Sequence, residues 1–300
     1  MSGDVNRPRL AVTVGDPRGI GPEIIRAALE DPALRDVCDM VIVGPAGADL
    51  PIDVVIGDWA PGGTAAAAGK SSGDAIARAV QLALKGEVDG IVTAPIDKFA
   101  LLSGGYDFPG HTEMLAQLTG SRVAMMLASD RLRVVLATTH IALRDVPHAL
   151  TRDAIETAAQ VTRDGLREWF GVASPRIALC ALNPHAGDHG RFGDEDDTLL
   201  APAAREAGLF GPFPADTVFV RAIRGEFDAV IAPYHDVGMT AIKVASFGSA
   251  VNVTLGLPFP RTSPDHGTAL DIAGRGIADP SSFIAATRLC AEIVNRRRQA

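Results

Sequence analysis

Five of the chain's seven histidines stand in short polar stretches that follow apolar runs or lie beside Gly and Pro. They are His111 in FPGHTE, His140 in LATTHIALRD, His185 in ALNPHAGDHG, His235 in IAPYHDVGM and His266 in SPDHGTA. Open α/β sheets bind ligands outside the carboxyl ends of their strands, so imidazoles gathered there are placed for chemistry. Taken singly, each reads most simply as a hydrogen-bonded structural ring. Taken together, His140, His185 and His235, each at the end of a candidate strand, point to a shared metal site. Three imidazoles from separate loops suit a borderline divalent ion such as zinc or cobalt and leave positions open for a substrate. The three are too far apart in sequence to form a local motif. His148 and His189 have no comparable context and read as surface or structural groups, and His266, followed by Gly267 and Thr268, could equally orient a loop.

Two acids qualify as partners, Asp216 in GPFPADTVF and Asp236 beside His235. An Asp next to an imidazole can fix its tautomer or accept a proton, although solvated loop aspartates are commoner. Lys243 and Arg261, with Asn252 between them, flank the apolar segment Val251 to Leu257. Two cations and an amide could converge on a phosphate, or be scattered surface charge. Other chemistries lack their signatures. GDPRGIGPE carries Gly15, Gly19 and Gly21 but neither G-x-G-x-x-G nor a Gly-Lys-Ser/Thr ending, so no dinucleotide or P-loop fingerprint is present. No G-x-S-x-G elbow occurs. Cys38, Cys180 and Cys290 are odd in number and show no C-x-x-C spacing, so they read as small core residues.

The elements that must position these groups are legible as an alternation. Strand candidates are Leu10 to Val14, Met40 to Val43, Gly90 to Thr93, Val123 to Leu127, Val134 to Ala137, Ile177 to Leu182, Ala229 to Ala232 and Ala250 to Leu255. Many are short, rich in Val, Ile and Leu, and bounded by turn residues, as strands buried on both faces are. Helices are expected over Gly73 to Lys85, over Thr151 to Phe170 with Thr151 as cap, and after Asp279-Pro280, with Arg296 to Arg298 complementing the last helix's dipole. The stretch from Gly57 to Gly73 reads as a loop by composition. VDGIVTAPIDK and FDAVIAPYHD echo each other as recurring strand-end chemistry rather than as a repeat. The alternation predicts α/β layers with mostly parallel strands.

At 300 residues the chain is long enough for two domains and needs no disulfide or structural metal to stay folded. Aromatics are 5%, so the core must be built from Ala, Val, Ile and Leu. A net charge of −8 argues against a nucleic-acid or anionic-membrane partner, while leaving room for an anionic substrate held by a few local cations. Asp4, Arg7 and Arg9 interrupt any signal-peptide stretch, and no apolar run is long enough to span a bilayer, so a soluble cytoplasmic protein is expected.

GDPRGIGPEII, FPGHTEMLA, LATTHIALRDV, LNPHAGDHGRFGDED, GPFPADTVF, YHDVGMTAIK and VNVTLGLPFPRTSPDHGTALDIAGRGIAD resemble, in order and across nearly the whole chain, the 4-hydroxythreonine-4-phosphate dehydrogenase family of pyridoxal 5′-phosphate biosynthesis. The resemblance implies two α/β/α domains around a cleft, similar to isocitrate and isopropylmalate dehydrogenases. One would hold residues 1–122 with 261–300, and the other 123–260. It implies that His140, His185 and His235 bind one divalent metal ion (Zn, Mg or Co) at a homodimer interface. His111, Thr112, Lys243, Asn252 and Arg261 would bind the substrate, and Asp216 and Asp236 would lie near the reacting centre. NAD or NADP would bind outside the usual fingerprint. The implied reaction oxidises 4-hydroxythreonine 4-phosphate to 2-amino-3-oxo-4-phosphooxybutanoate, which decarboxylates to 3-amino-2-oxopropyl phosphate. Competing readings are a paralogue acting on D-threonate or D-erythronate 4-phosphate and a cis-dihydrodiol dehydrogenase. Outside the dehydrogenases stand a metal-dependent phosphoester hydrolase and a metabolite-binding protein.

Overall fold

The computed structural model describes residues 7–246 and 249–299. In chain order the first segment runs β1 (Arg9–Thr13), α1 (Gly21–Glu30), α2 (Pro32–Arg35), β2 (Asp39–Ala46), β3 (Val54–Asp58), α3 (Ala65–Leu84), β4 (Gly90–Thr93), α4 (Lys98–Ser103) and α5 (His111–Thr119). The middle segment holds β5 (Ala124–Ala128), β6 (Arg133–Leu136), α6 (Val146–Ala149), α7 (Arg152–Glu168), β7 (Ile177–Cys180), α8 (Ala201–Glu206), β8 (Phe210–Phe213), α9 (Ala215–Ile223), β9 (Ala229–Ala232), α10 (His235–Ser246) and β10 (Val251–Leu255). Then come β11 (Arg261–Pro264) and α11 (Ser281–Gln299). These pieces form two compact units, Met1–Ser121 with Leu257–Ala300, and Arg122–Gly256.

In the first unit the strands lie in the order β3-β2-β1-β4-β11, and every pair is parallel. All of β4 and all but the first residue of β1 are buried, which is why both read as unbroken apolar runs rather than alternating ones. Leu10, Ile24, Ile25, Ile42, Ile76, Ile91 and Phe283 are enclosed at its centre. Helix α3 corrects the sequence reading. The expected loop over Gly57 to Gly73 gives way to helix from Ala65, capped by Thr64, whose Oγ1 accepts from the Ala67 N–H at 3.2 Å. The small residues that suggested a loop instead form a seam for close packing. A Cβ on Gly69 would lie 1.7 Å from the Ala100 carbonyl oxygen, and one on Gly73 would lie 2.1 Å from the Tyr106 ring. Tyr106 also donates to Asp74 at 2.6 Å, and burial with this bond raises its phenol above the ordinary range.

The second unit orders its strands β10-β5-β6-β9-β7-β8. Its first three are antiparallel neighbours, whereas β6–β9, β9–β7 and β7–β8 are parallel. Met125, Leu127, Val134, Leu136, Val218, Phe219, Val230 and Ile242 belong to its buried core. The expected helix after Thr151 is α7, with Thr151 accepting from Ala154 N–H. Three strands had no sequence signal. β3 is a part-exposed edge, β8 is the unpromising FGPF, and β11 is the polar RTSP, wholly buried nonetheless. Among the described residues no helix is long and apolar enough to cross a membrane.

Candidate active site

In the first unit, the residues at the ends of β1 and β4 and at the start of β11 build a polar floor. Arg261 is paired in register with Ile91, and its guanidinium donates to the Thr93 hydroxyl two residues further along that strand. The Arg261 side chain is 1% exposed, and burial pushes its pKa down to about 9. His111 opens α5, with Thr112 half-buried beside it. Its Nε2 is shut off from solvent and has no hydrogen-bond partner among the described residues. Burial first, then the charges of Arg261 and Lys98, holds the His111 pKa well below its ordinary value, so the ring is neutral at pH 7. A buried guanidinium, an exposed ammonium near it and a neutral imidazole make a locally electropositive cluster, and an anion bound there would be stabilised by both cations.

The neighbouring GDPRGIGPE loop is held by ions rather than by glycine alone. Arg18 forks onto the fully buried Asp16, with Nε to Oδ1 at 3.0 Å and a terminal nitrogen to Oδ2 at 2.6 Å. Asp97, 3.9 Å from Arg18, caps α4 by accepting from Ala100 N–H at 2.6 Å. Glu23, in the first turn of α1, accepts from the backbone N–H groups of Gly274, Gly276 and Ala278, fixing the DIAGRGIAD loop.

In the second unit, the parallel neighbours β6 and β9 bring two histidines together. Ala137 N–H bonds the Ala232 carbonyl at 2.9 Å, and the Thr138 hydroxyl bonds the Pro233 carbonyl at 2.7 Å. The two strand-end loops therefore leave the sheet side by side. His140 and His235 face each other with ring centroids 5.6 Å apart and planes tilted by 45°. Nδ1 of His235 lies 2.7 Å from Oδ1 of Asp236, which fixes the tautomer with the Nε2 lone pair available.

His185 is not gathered with this pair. Among the described residues no three His, Cys, Asp or Glu side chains of the one chain are close enough to hold an ion. His185 instead lines a cavity of about 370 Å³ with Asn183, Asp216, Tyr234 and Val237, and its ring stands 6.3 Å from that of Phe192. Burial, with smaller effects of Cys180 and Asp236, raises the Tyr234 phenol. The loop carrying His185 is unusual. From His185 to Gly190 six successive residues have positive φ, and four of them are not glycine. Left-handed backbone costs an L-residue roughly 1–2 kcal/mol, so such a run persists only where its surroundings over-determine it.

Lys243 is exposed on α10, two turns beyond His235, and Asn252 sits on β10 opposite Leu127 with an enclosed Oδ1 that has no hydrogen-bond partner among the described residues. Both belong to the second unit, whereas Arg261 belongs to the first. His148 and His189 are exposed, and Nδ1 of His266 lies 3.1 Å from its neighbouring Gly267 carbonyl. The three cysteines are buried and free. Burial pushes the thiols of Cys180 and Cys290 up to about 12 and that of Cys38 up to about 11, far from nucleophilic. Lys98 and Asp196 are functional candidates that sequence reasoning missed. Lys98 was present in the echoed TAPIDK strand end. Asp196 is one of four acids in DEDD, and nothing in the sequence marks it as the buried one.

The imidazole set fits a divalent ion in part. A metal–nitrogen bond of about 2.0–2.1 Å sets two ligating rings with centroids roughly 4.5–5.5 Å apart, close to the His140–His235 spacing. Two strand-end ligands, one oriented by a carboxylate, match the design of such centres, and the third ligand has to reach them from elsewhere.

The architecture is an α/β fold like that of isocitrate dehydrogenase. The isocitrate dehydrogenase of Methylococcus capsulatus superposes with a TM-score of 0.54 at 16% identity, covering 97% of this chain and 87% of that one, a likeness of fold alone. The terephthalate 1,2-cis-dihydrodiol dehydrogenase of Burkholderia xenovorans LB400 is nearer, with a TM-score of 0.67 and 28% identity over 96% of this chain and 98% of that one. Nearer still is the 4-hydroxythreonine-4-phosphate dehydrogenase of Klebsiella pneumoniae, at 0.86 and 40% identity over 97% and 99%. The curated enzyme of that name from Geobacter metallireducens is 42% identical over 96% of each chain. The family described as "Pyridoxal phosphate biosynthetic protein PdxA" matches residues 23–290, and the chain belongs to it. By the names of its curated members this is an oxidoreductase family.

Proposed function

We propose that the chain oxidises 4-hydroxythreonine 4-phosphate at C3 with NAD or NADP, in the cytoplasm and as a homodimer, yielding 2-amino-3-oxo-4-phosphooxybutanoate, which loses carbon dioxide to give 3-amino-2-oxopropyl phosphate. The observation that carries this reading is the buried Arg261 guanidinium beside His111, with the exposed Lys98 nearby, a cluster of cations that matches a small phosphorylated substrate and suits a phosphate-free dihydrodiol poorly. Thr112 adds a hydroxyl beside His111. Lys243 and Asn252 are assigned to the same substrate. Phosphate anchoring fixes the far end of a flexible molecule, so that binding energy becomes orientation at C3.

His140 and His235 would hold a divalent ion (Zn, Mg or Co), with His185 supplied by the second subunit. When bound, that ion would supply Lewis acidity at the C3 oxygen, which oxidation turns into the ketone oxygen. Asp236 keeps His235 in its ligating tautomer. Asp216, facing the His185 cavity, is assigned to accept the hydroxyl proton.

NADH formation measured in parallel on 4-hydroxythreonine 4-phosphate and on D-threonate and D-erythronate 4-phosphates tests the substrate. Turnover preferring a sugar-acid phosphate would move the chain to the paralogous activity, and no NAD(P) reduction with any of them would sink the dehydrogenase reading. Subunit sharing is tested by mixing inactive variants. His185→Ala with His235→Ala should recover activity on exchange, whereas His140→Ala with His235→Ala should not.

A further inference from the structure

The geometry points to Asp196 as the positioning residue of the His185 loop. This rests on the reading of His185 as a metal ligand and extends it to a residue that touches neither metal nor substrate. Asp196 is 1% exposed. Its two carboxylate oxygens accept separately from successive backbone N–H groups, Leu182 N to Oδ1 at 2.8 Å and Asn183 N to Oδ2 at 2.9 Å. These are the two residues that lead from β7 into Pro184 and His185. The adjacent Glu195 accepts from the Asn183 side-chain amide at 2.7 Å, so both peptide groups and the side chain at the loop's entry are gripped from one short segment.

The grip answers a specific need. His185 sits at φ 54°, ψ 28° and Ala186 at φ 56°, ψ 45°, a conformation neither residue adopts by preference. Within the loop, Ala186 N–H returns to the Asn183 carbonyl at 3.1 Å and Phe192 N–H to the Gly187 carbonyl at 3.0 Å. These bonds close the turn on itself but do not fix it to the sheet. Ala181 N–H, just past β7, bonds the Phe213 carbonyl of β8 at 2.8 Å, and the Asp196 carboxylate then carries that grip on to the next two peptide groups, at Leu182 and Asn183. Fixing two consecutive peptide planes sets the direction in which the chain leaves the strand, and hence where the exposed His185 ring is presented. Gly193 allows the close return, since a Cβ there would lie 2.6 Å from Glu195 Oε2 and 2.7 Å from Asn183 Nδ2. An imidazole that must meet ligands it does not touch within its own chain gains most from being aimed in advance.

The test is a cobalt titration of the metal-stripped full-length protein, followed by visible absorption without substrate or NAD. Asp196→Asn keeps shape and one acceptor but loses the second charge-assisted bond, and should weaken cobalt binding about tenfold. In a His185→Ala background the same substitution should change affinity by less than about twofold, because its effect runs through that ring. Leu166→Ala, in the buried face of α7, is the control for general destabilisation and should leave cobalt affinity near wild type. Asn183→Ala gives a second variant should Asp196→Asn not fold, with a smaller loss that also vanishes without His185. Equal losses from Asp196→Asn with and without His185, or no loss beside a clear loss in His185→Ala, would overturn the positioning role and leave His185 a ligand. Wild-type affinity in His185→Ala would instead overturn the ligand reading on which the inference rests.

Discussion

The two candidate clusters proposed to carry the chemistry are built on opposite physical plans. The cluster of the first unit centres on a buried cation: Arg261 is enclosed, with its desolvation cost met before any ligand arrives, and His111 is kept neutral, while Lys98 stays exposed. The histidines of the second unit are open, with His140 and His185 exposed and two of three brought together only by neighbouring strand ends. A phosphate needs a fixed, dry set of charges, whereas a metal ion supplies its own binding energy and can recruit ligands from loops. On the proposed reading, the first unit presents Arg261 already desolvated beside His111, whereas the metal centre of the second needs a third donor.

If that contrast is right, the largest effects should fall on the open cluster. His235→Ala or His140→Ala removes a ligand outright and should weaken metal binding by more than the roughly 10–100-fold that loss of an outer partner costs, with activity falling in step. Elemental analysis after dialysis checks this, and full occupancy would break the comparison. Next comes Arg261→Ala, expected to lower kcat/KM by roughly 2–4 kcal/mol for the phosphorylated substrate. Much less should be lost on the dephosphorylated analogue, and an equal loss on both would remove Arg261 from the phosphate.

A smaller effect separates the clusters by pH. The folded pKa of His111 lies below its unfolded value, so between the two the unfolded chain binds a proton that the folded chain does not. Stability should therefore fall as pH drops below about 6.5, and His111→Gln should lose that part of the fall. Thermal midpoints of both proteins from pH 7 to 5 measure it, and parallel curves would show that His111 is not held neutral. The smallest expected change lies outside both clusters. Thr64→Ala should cost about 1 kcal/mol by uncapping α3, read from denaturant unfolding, with substrate and metal affinities unmoved.

What the sequence disclosed follows from the same physics. Strands such as β4 and β9 are buried on both faces and so announce themselves as apolar runs. β11 was invisible because its burial is decided by tertiary contacts, with Arg261 reaching Thr93 and Thr262 bonding the Ala286 carbonyl. At the start of α3, Gly69 and Gly73 look like loop residues in the sequence, because nothing there shows that Ala100 and Tyr106 press against them. His140 and His235 could be nominated from their strand ends, but their meeting depends on β6 pairing β9, which no local pattern reveals. Asp196 was hidden altogether, because burial of one acid among four is a property of the fold.

The interruption of the first unit by the second has a consequence for how the protein is made. β4 leaves the ribosome early, yet its parallel neighbour β11 follows only after the intervening stretch from Ala94 to Pro260, about 167 residues. At synthesis rates of about 5–20 residues per second, that is roughly 8–33 s during which one edge of β4 has no strand to pair with. The second unit is continuous and can close as soon as it emerges, while the first must hold an open, apolar edge until its last strand arrives. Nascent chains arrested before β11 should accordingly be protease-sensitive in the first unit and protected in the second, and they should be the form of this protein most in need of a chaperone.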